Sequence, residues 1–239
     1  EHGFTGIQDV FEAPYGGFCS TFSRSHDRYN LDALTDGLGS DFEIMRVALK
    51  FYSCVGSNHT SLDAIKHIQT RRPFGVDDFE KIVIHGSQVT VDHVGWPYQP
   101  QGLTSAQLNL PFCVATFLLE GDVFVKQFTL DCVDNEARID LSRRVEVIHD
   151  PEITALGAKF RHKVRVDVYF KNGAIESETR EAPIGSEHSF GSESDIVGKF
   201  LKLTEGIINS TTQDEVVETM LNLENINDAS KLVKLITGQ

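Results

Sequence analysis

Between residues 163 and 171 the chain alternates. Val164, Val166, Val168 and Phe170 are apolar, and Arg165, Asp167, Tyr169 and Lys171 interleave them. A period of two puts the first set on one face of a β-strand and the second on the other. Asn172-Gly173 then predicts a two-residue hairpin turn, because both residues tolerate positive φ, with a polar partner strand over 174–181. Shorter apolar runs predict further strands at 81–85, 90–94, 123–130 and 144–149.

Elsewhere the period lengthens. Leu62, Ile65 and Ile68 recur every third residue behind Thr60 and Ser61, which predicts a helix over 60–69 with a hydroxyl cap. Thr104-Ser105-Ala106-Gln107 reads as a capping box. It opens a helix on which Leu108, Phe112, Ala115 and Leu119 share a face, with Gly121 as its stop and Pro111 kinking it or breaking its first turns. After Pro183 a helix is predicted over about 194–208. A second begins at the box Thr212-x-x-Glu215 and runs through Leu221, and a third starts at Asp228 and carries Leu232, Leu235 and Ile236. Residues 1–40 are glycine-rich and irregular, and a helix is expected to begin near Asp41 with Ile44, Val47 and Ala48 on one side. The order is helix, mixed centre, helices, so the predicted class is α+β.

Composition narrows the function. The 239 residues carry 22 Lys+Arg against 35 Asp+Glu, a formal charge of -13. Nucleic-acid binding needs a basic face to displace counterions, so that class is excluded. No apolar run approaches the length of a membrane span, so no membrane association is expected either. The sequence opens at Glu1 without a methionine or a signal-peptide pattern, so a preceding segment is expected. Cys19, Cys54, Cys113 and Cys132 include no C-x-x-C pair, so neither a local zinc nor an iron–sulfur motif is present and no metal is expected. Reduced thiols in an intracellular compartment, cytoplasmic or organellar (mitochondria included), are the expectation.

The segment 50–59 carries the chemistry. Lys50-Phe51-Tyr52-Ser53-Cys54 leads to His59 and then Asp63-Ala64. On residue type alone, Lys50 would be a surface lysine closing a helix, His59 a cap or a packed ring, and Cys54 a buried thiol. The segment resembles the K-x-Y-P-C…H-x-x-x-D-A signature of the MmgE/PrpD family. Gly3-Phe4-Thr5-Gly6 with Phe11-Glu12 is similar to that family's G-L-T-G-P…L-E-G opening. Ala106-Gln107-Leu108-Asn109-Leu110-Pro111 before Gly121 resembles its A-Q-x-S-x-P…G, and Lys199-Phe200 its C-terminal K-F.

The resemblance implies the C-terminal half of a family member. Residues 1–45 would end a helical domain, 46–185 form a lid-like α+β domain, and 186–239 return as helices to the helical domain. It implies a cofactor-independent lyase acting on a small di- or tricarboxylate, with dehydration as the favoured reaction. Decarboxylation or epimerisation is the alternative within the family, and a degenerate relative or non-catalytic accessory subunit the alternative outside catalysis. Such chemistry needs a base at the acidic carbon and cations on the carboxylates. Lys50 and His59 are the catalytic candidates, Lys50 as a carboxylate-binding or protonating group and His59 as a proton shuttle. Ser53, Cys54 and Tyr98 are the candidate substrate-binding residues. Ser53 stands where the family usually has proline, and Val55 where many members have a second cysteine and some a histidine. The family's catalytic aspartate and histidines would lie upstream of Glu1. The expected partners are therefore a small carboxylic acid and an N-terminal helical half, in a homodimer or hetero-oligomer.

Overall fold

Val164, Val166 and Val168 are fully buried, as their alternation predicts, and they seat one face of a four-stranded sheet on helices. The structure is a computed structural model that describes residues 3–237. The chain divides after Val47 into two compact units. Along it run α1 (Phe18–Ser23), α2 (Gly56–Arg71), β1 (Phe79–Gly86), α3 (Gln88–Val94), α4 (Leu103–Leu108), α5 (Leu110–Glu120), α6 (Leu130–Val133) and α7 (Glu136–Ser142). There follow β2 (Val145–His149), α8 (Pro151–Ala155), β3 (Val164–Phe170), β4 (Ile175–Arg180), α9 (Glu193–Thr204), α10 (Ser210–Leu221) and α11 (Ser230–Thr237). The fold is α+β.

The sheet order is β2-β1-β3-β4. β1 and β2 are parallel, joined by the α3–α7 crossover, and the other pairs are antiparallel. Ile82 and Ile84 of β1 stand opposite Val168 and Val166 of β3, so apolar residues of neighbouring strands line one face. That face rests on α2 and α5. Every residue of α5 from Leu110 to Phe117 is buried, which is why its sequence is apolar all round rather than striped. The opposite face is polar: His85 Nε2 lies 2.8 Å from Asp167 Oδ2, and Ser177 Oγ donates to Asp167 Oδ1 at 2.7 Å.

Several sequence expectations are corrected. The hairpin turn has three residues, not two, with Gly173 N–H donating to Phe170 O and only Gly173 at positive φ. Residues 90–94 are helical, not a strand: Ser87 Oγ caps α3 by accepting from Thr90 N–H, a local bond that outweighs the β-preference of Thr90 and Val91. Residues 123–130 are also not a strand. Gln127 Oε1 takes the Phe124 N–H, the chain turns at Val125–Gln127, and Thr129 caps α6. The capping box at Thr104 does not form. α4 starts behind Gly102, whose φ of 92° suits glycine, and Gln107 is used elsewhere. Pro111 does mark a break: Asn109 is extended, closes α4 and caps α5 through Phe112 N–H. Gly121 ends α5 in the left-handed conformation, as expected. α10 begins at Ser210 with Asn209 as its cap, so Thr212 is inside the helix.

Among the described residues, the unit that ends at Val47 holds one α-helix and two 3-10 turns. The helix expected from Asp41 is only a 3-10 turn, Glu43–Arg46, with Ile44 and Met45 exposed. A segment this short draws its helical stability from packing, and nothing within the unit covers it. Phe18 instead stacks on Phe22 at 4.7 Å and meets Phe11 edge-on. Among the described residues no helix is long and apolar enough to cross a membrane.

Candidate active site

α2 starts at Gly56, four residues before the expected boundary. His59 is therefore in the first turn, and Thr60 and Ser61 are buried helix residues rather than caps. Their hydroxyls, with Asn58 Oδ1 and Thr116 Oγ1, have no hydrogen-bond partner among the described residues. A helix that buries Ser57, Asn58, His59, Thr60, Ser61 and Asp63 over two turns is chemically unusual, since buried polar groups cost free energy unless they are paired.

The loop in front of α2 is fastened at several points. Leu49 N–H donates to Gly185 O at 2.8 Å, Ser53 N–H to Val123 O at 2.9 Å and Val55 N–H to Gln107 O at 3.0 Å. Gln107 Nε2 donates back to Ser53 O at 3.0 Å. Gln107, from the A-Q motif, thus ties α4 to the loop. Ser53 contributes its backbone to this arrangement, while Lys50 is exposed and forms no ion pair among the described residues.

Beneath the loop the groups are buried. His59 is 2% exposed, its Nε2 lies 3.4 Å from Cys54 O, and its ring meets Tyr52 edge-on at 5.1 Å. A proton shuttle must reach its substrate, and this burial suits a packed ring better. Tyr52 Oη donates to Asp63 Oδ1 at 2.9 Å, and Ile184 N–H donates to Asp63 Oδ2 at 2.8 Å. Burial pushes Asp63 above the usual carboxylate range, against those two hydrogen bonds. Burial, with Asp63 beside it, also pushes the Tyr52 phenol far up, so it stays a donor.

Cys54 and Cys113 are both buried and free. Asn58 Nδ2 donates to Cys113 Sγ at 3.3 Å, and Cys113 Sγ to Ala106 O at 3.5 Å. The Cys113 thiol beside Cys54 draws the Cys54 pKa down to about 6 against burial, with His59 and Lys50 assisting. Cys113 moves the other way, held up by burial and by the charge of Cys54. The two thiols behave as one site that gives up its first proton easily and its second with difficulty.

Tyr98 is elsewhere. Its hydroxyl donates to Val133 O at 3.0 Å and its ring lies on Phe112 at 4.3 Å, so its polar end is occupied inside the core. Burial raises it to about 12. The structure brings Lys50, Ser53, Cys54 and His59 together and adds Asp63 and Gln107, which the sequence offered as motif positions without a role, and Asn58 and Cys113, which were not candidates for the site. Behind Phe51 and Tyr52 lies a cavity of about 440 Å3, also lined by Asp63, Lys66, Lys199 and Lys202. No cluster of three or more His, Cys, Asp or Glu is placed to hold a metal among the described residues.

The family model for the MmgE/PrpD C-terminal domain matches residues 52–225, a span that begins at Tyr52, two residues after Lys50, and takes in the rest of this loop, the sheet and α9–α10. The chain belongs to the MmgE/PrpD family. It is 28% identical to the cis-aconitate decarboxylase-like protein oryM of Aspergillus oryzae over 99% of this chain and 51% of that protein. It is 25% identical to a cis-aconitate decarboxylase of Aspergillus terreus over 98% of this chain and 50% of that one. With cis-aconitate decarboxylase of Mus musculus the identity is 23%, over 80% of this chain and 40% of the relative. The chain therefore spans about half the length of the curated MmgE/PrpD relatives it matches.

Proposed function

We propose that the chain is the C-terminal half of a lyase that removes carbon dioxide from a small di- or tricarboxylate of the cis-aconitate type. The observation that carries this is the Lys50 loop. Its backbone is pinned at Leu49, Ser53 and Val55, yet the cation at its head, Lys50, faces solvent with no carboxylate partner among the described residues. An acidic protein repels an acidic substrate unless a cation is held ready for it. The names of the relatives favour decarboxylation over the dehydration expected from sequence.

Breaking the bond to a departing carboxylate leaves its electron pair on the neighbouring carbon, and a proton must then be delivered there. In this reading Lys50 binds a carboxylate that remains, and the pinned loop keeps its ammonium in place as charge develops. His59 and Cys54 form the packed floor that sets the loop height. The proton donor and the opposite wall come from an N-terminal helical half, which the exposed apolar residues of this chain are suited to meet. The reaction needs no cofactor in this reading.

The test uses a protein containing both halves and follows carbon dioxide released from cis-aconitate. Lys50→Met keeps the stem and removes the charge. It is expected to lower kcat/KM by about 100-fold, the scale of losing one preorganised charge-stabilising group. Wild-type kcat/KM in Lys50→Met would refute the assignment, and water loss from a citrate-like acid without carbon dioxide release would restore the dehydratase reading.

A further inference from the structure

Asp63 sits on α2 at 4% exposure, behind the loop and away from solvent. Each of its oxygens is used by a different segment. Oδ1 accepts from Tyr52, two residues after Lys50, and Oδ2 accepts from the backbone of Ile184. The next residue, Gly185, accepts through its carbonyl from Leu49 N–H, one residue before Lys50. The path from Leu49 through Tyr52, Asp63, Ile184 and Gly185 back to Leu49 is a closed ring, and Lys50 is on its rim.

We infer that Asp63 is a positioning residue, fixing the Lys50 loop from both ends through Tyr52 on one side and Ile184–Gly185 on the other. The inference deepens the proposed function and rests on it for the identity of the group being positioned.

Three features single out this geometry. Both incoming groups are donors, an O–H and a peptide N–H, and an ionised carboxylate is the side chain that accepts on both oxygens. Asparagine has the same shape but would turn its own N–H2 toward one donor. The ring is also tight: Gly185 has φ +95°, and a Cβ there would come within 2.3 Å of Leu49 O, so the 184–185 backbone lies directly against the residue that precedes Lys50. Finally, burying a carboxyl is costly, and a residue chosen for packing alone would be apolar. A carboxylate kept at this depth and bonded at both oxygens holds two segments in register.

The experiment compares wild type, Asp63→Asn and Tyr52→Phe in a protein carrying both halves. Amide hydrogen exchange is read over 48–53 and 183–186, with 110–117 of α5 as an internal reference. Exchange in the two loop segments should accelerate at least about tenfold in Asp63→Asn while α5 keeps its protection, since local opening is separable from global unfolding. Tyr52→Phe, which removes one donor and retains the ring, should loosen 48–53 more than 183–186. Where the wild type turns over substrate, Asp63→Asn should lower kcat/KM, and the same change in a Lys50→Met background should add no further loss, because both act through one ammonium.

Unchanged loop exchange in both variants, or equal acceleration in the loops and α5, would overturn the inference. So would additive losses in the Lys50→Met background, which would mark Asp63 as a general support. If wild type shows no turnover, the proposed function fails while the exchange result still decides whether Asp63 pins the loop. If Asp63→Asn does not fold, Tyr52→Phe carries the same comparison.

Discussion

Phe112 and Phe4 are the same residue type in two very different settings. Phe112 is fully enclosed in α5 and stacked on Tyr98, whereas Phe4 is 96% exposed. The contrast extends to their regions. Around α2, α5 and the sheet, apolar residues from several segments form one cluster in which each covers another. In 3–47, Phe4, Ile7, Tyr15, Phe22, Leu38 and Ile44 are all exposed, and α9–α11 bury only Val216 among their large apolar residues. Single exposed apolar side chains are ordinary, but repeated ones along amphipathic segments mark surfaces built to be covered. The α+β centre supplies its own core. The flanks leave apolar faces exposed, which in the proposed reading meet the helical half.

The largest losses of stability are expected in the centre. Phe112→Ala should destabilise the chain by about 3–5 kcal/mol, the usual cost of emptying an aromatic site in a closed core. Thermal melting checks this, and a small shift would mean that α5 is not the central helix. Val166→Asp places an unpaired charge on the buried sheet face and should cost roughly 3 kcal/mol or more. A soluble variant with an unchanged melting temperature would contradict the assigned face of β3.

A smaller effect concerns the thiols. Cys54 is depressed in the native state, so its stabilising contribution is full above the unfolded thiol range. It shrinks as pH falls toward 6 and is lost below that. Cys113 is raised and so opposes stability only above that range. Between about pH 6 and 9, stability should therefore rise with pH in wild type. The rise should be absent in Cys54→Ser. In Cys113→Ala the removal of the main stabilising neighbour should move the Cys54 titration up, seen in the ultraviolet absorbance of the thiolate. An unmoved titration in Cys113→Ala would contradict the pairing.

The smallest effect belongs to the flanks. Ile7→Ser and Ile44→Ser should change the melting temperature of this chain little, by the equivalent of about 0.5 kcal/mol or less. The same changes should weaken association with the helical half. A large loss of stability in the isolated chain would show that these residues already have a partner within it.

What was legible in the sequence follows the same division. The β3 alternation is readable because all four apolar positions meet one face, and Pro111 and Gly121 are readable because each has a backbone reason independent of context. Residues 90–94 and 123–130 were not, since Ser87 and Gln127 use side chains to satisfy backbone groups and so override local preference. Lys50, Ser53, Cys54 and His59 were legible as a motif. The grip of Asp63 and Gln107 on the loop was not, because hydrogen bonds between distant segments leave no periodic trace. The available signals were their places in the motifs, Asp63-Ala64 and Ala106-Gln107, and the run of small polar residues inside a helix from Ser57 to Asp63. Tyr98 was singled out by its neighbourhood in the chain, while its hydroxyl is engaged by Val133.

In the proposed reading this chain carries one wall of a site and not the whole. The most direct measurement is carbon dioxide release from cis-aconitate by residues 1–239 alone, beside a protein in which an N-terminal helical half is present. No enzyme-like turnover is expected from the chain alone, and turnover dependent on Lys50 is expected when both halves are joined. Turnover at enzyme-like rates by the chain alone would contradict that reading, since base, cation and proton donor would then all lie within these residues.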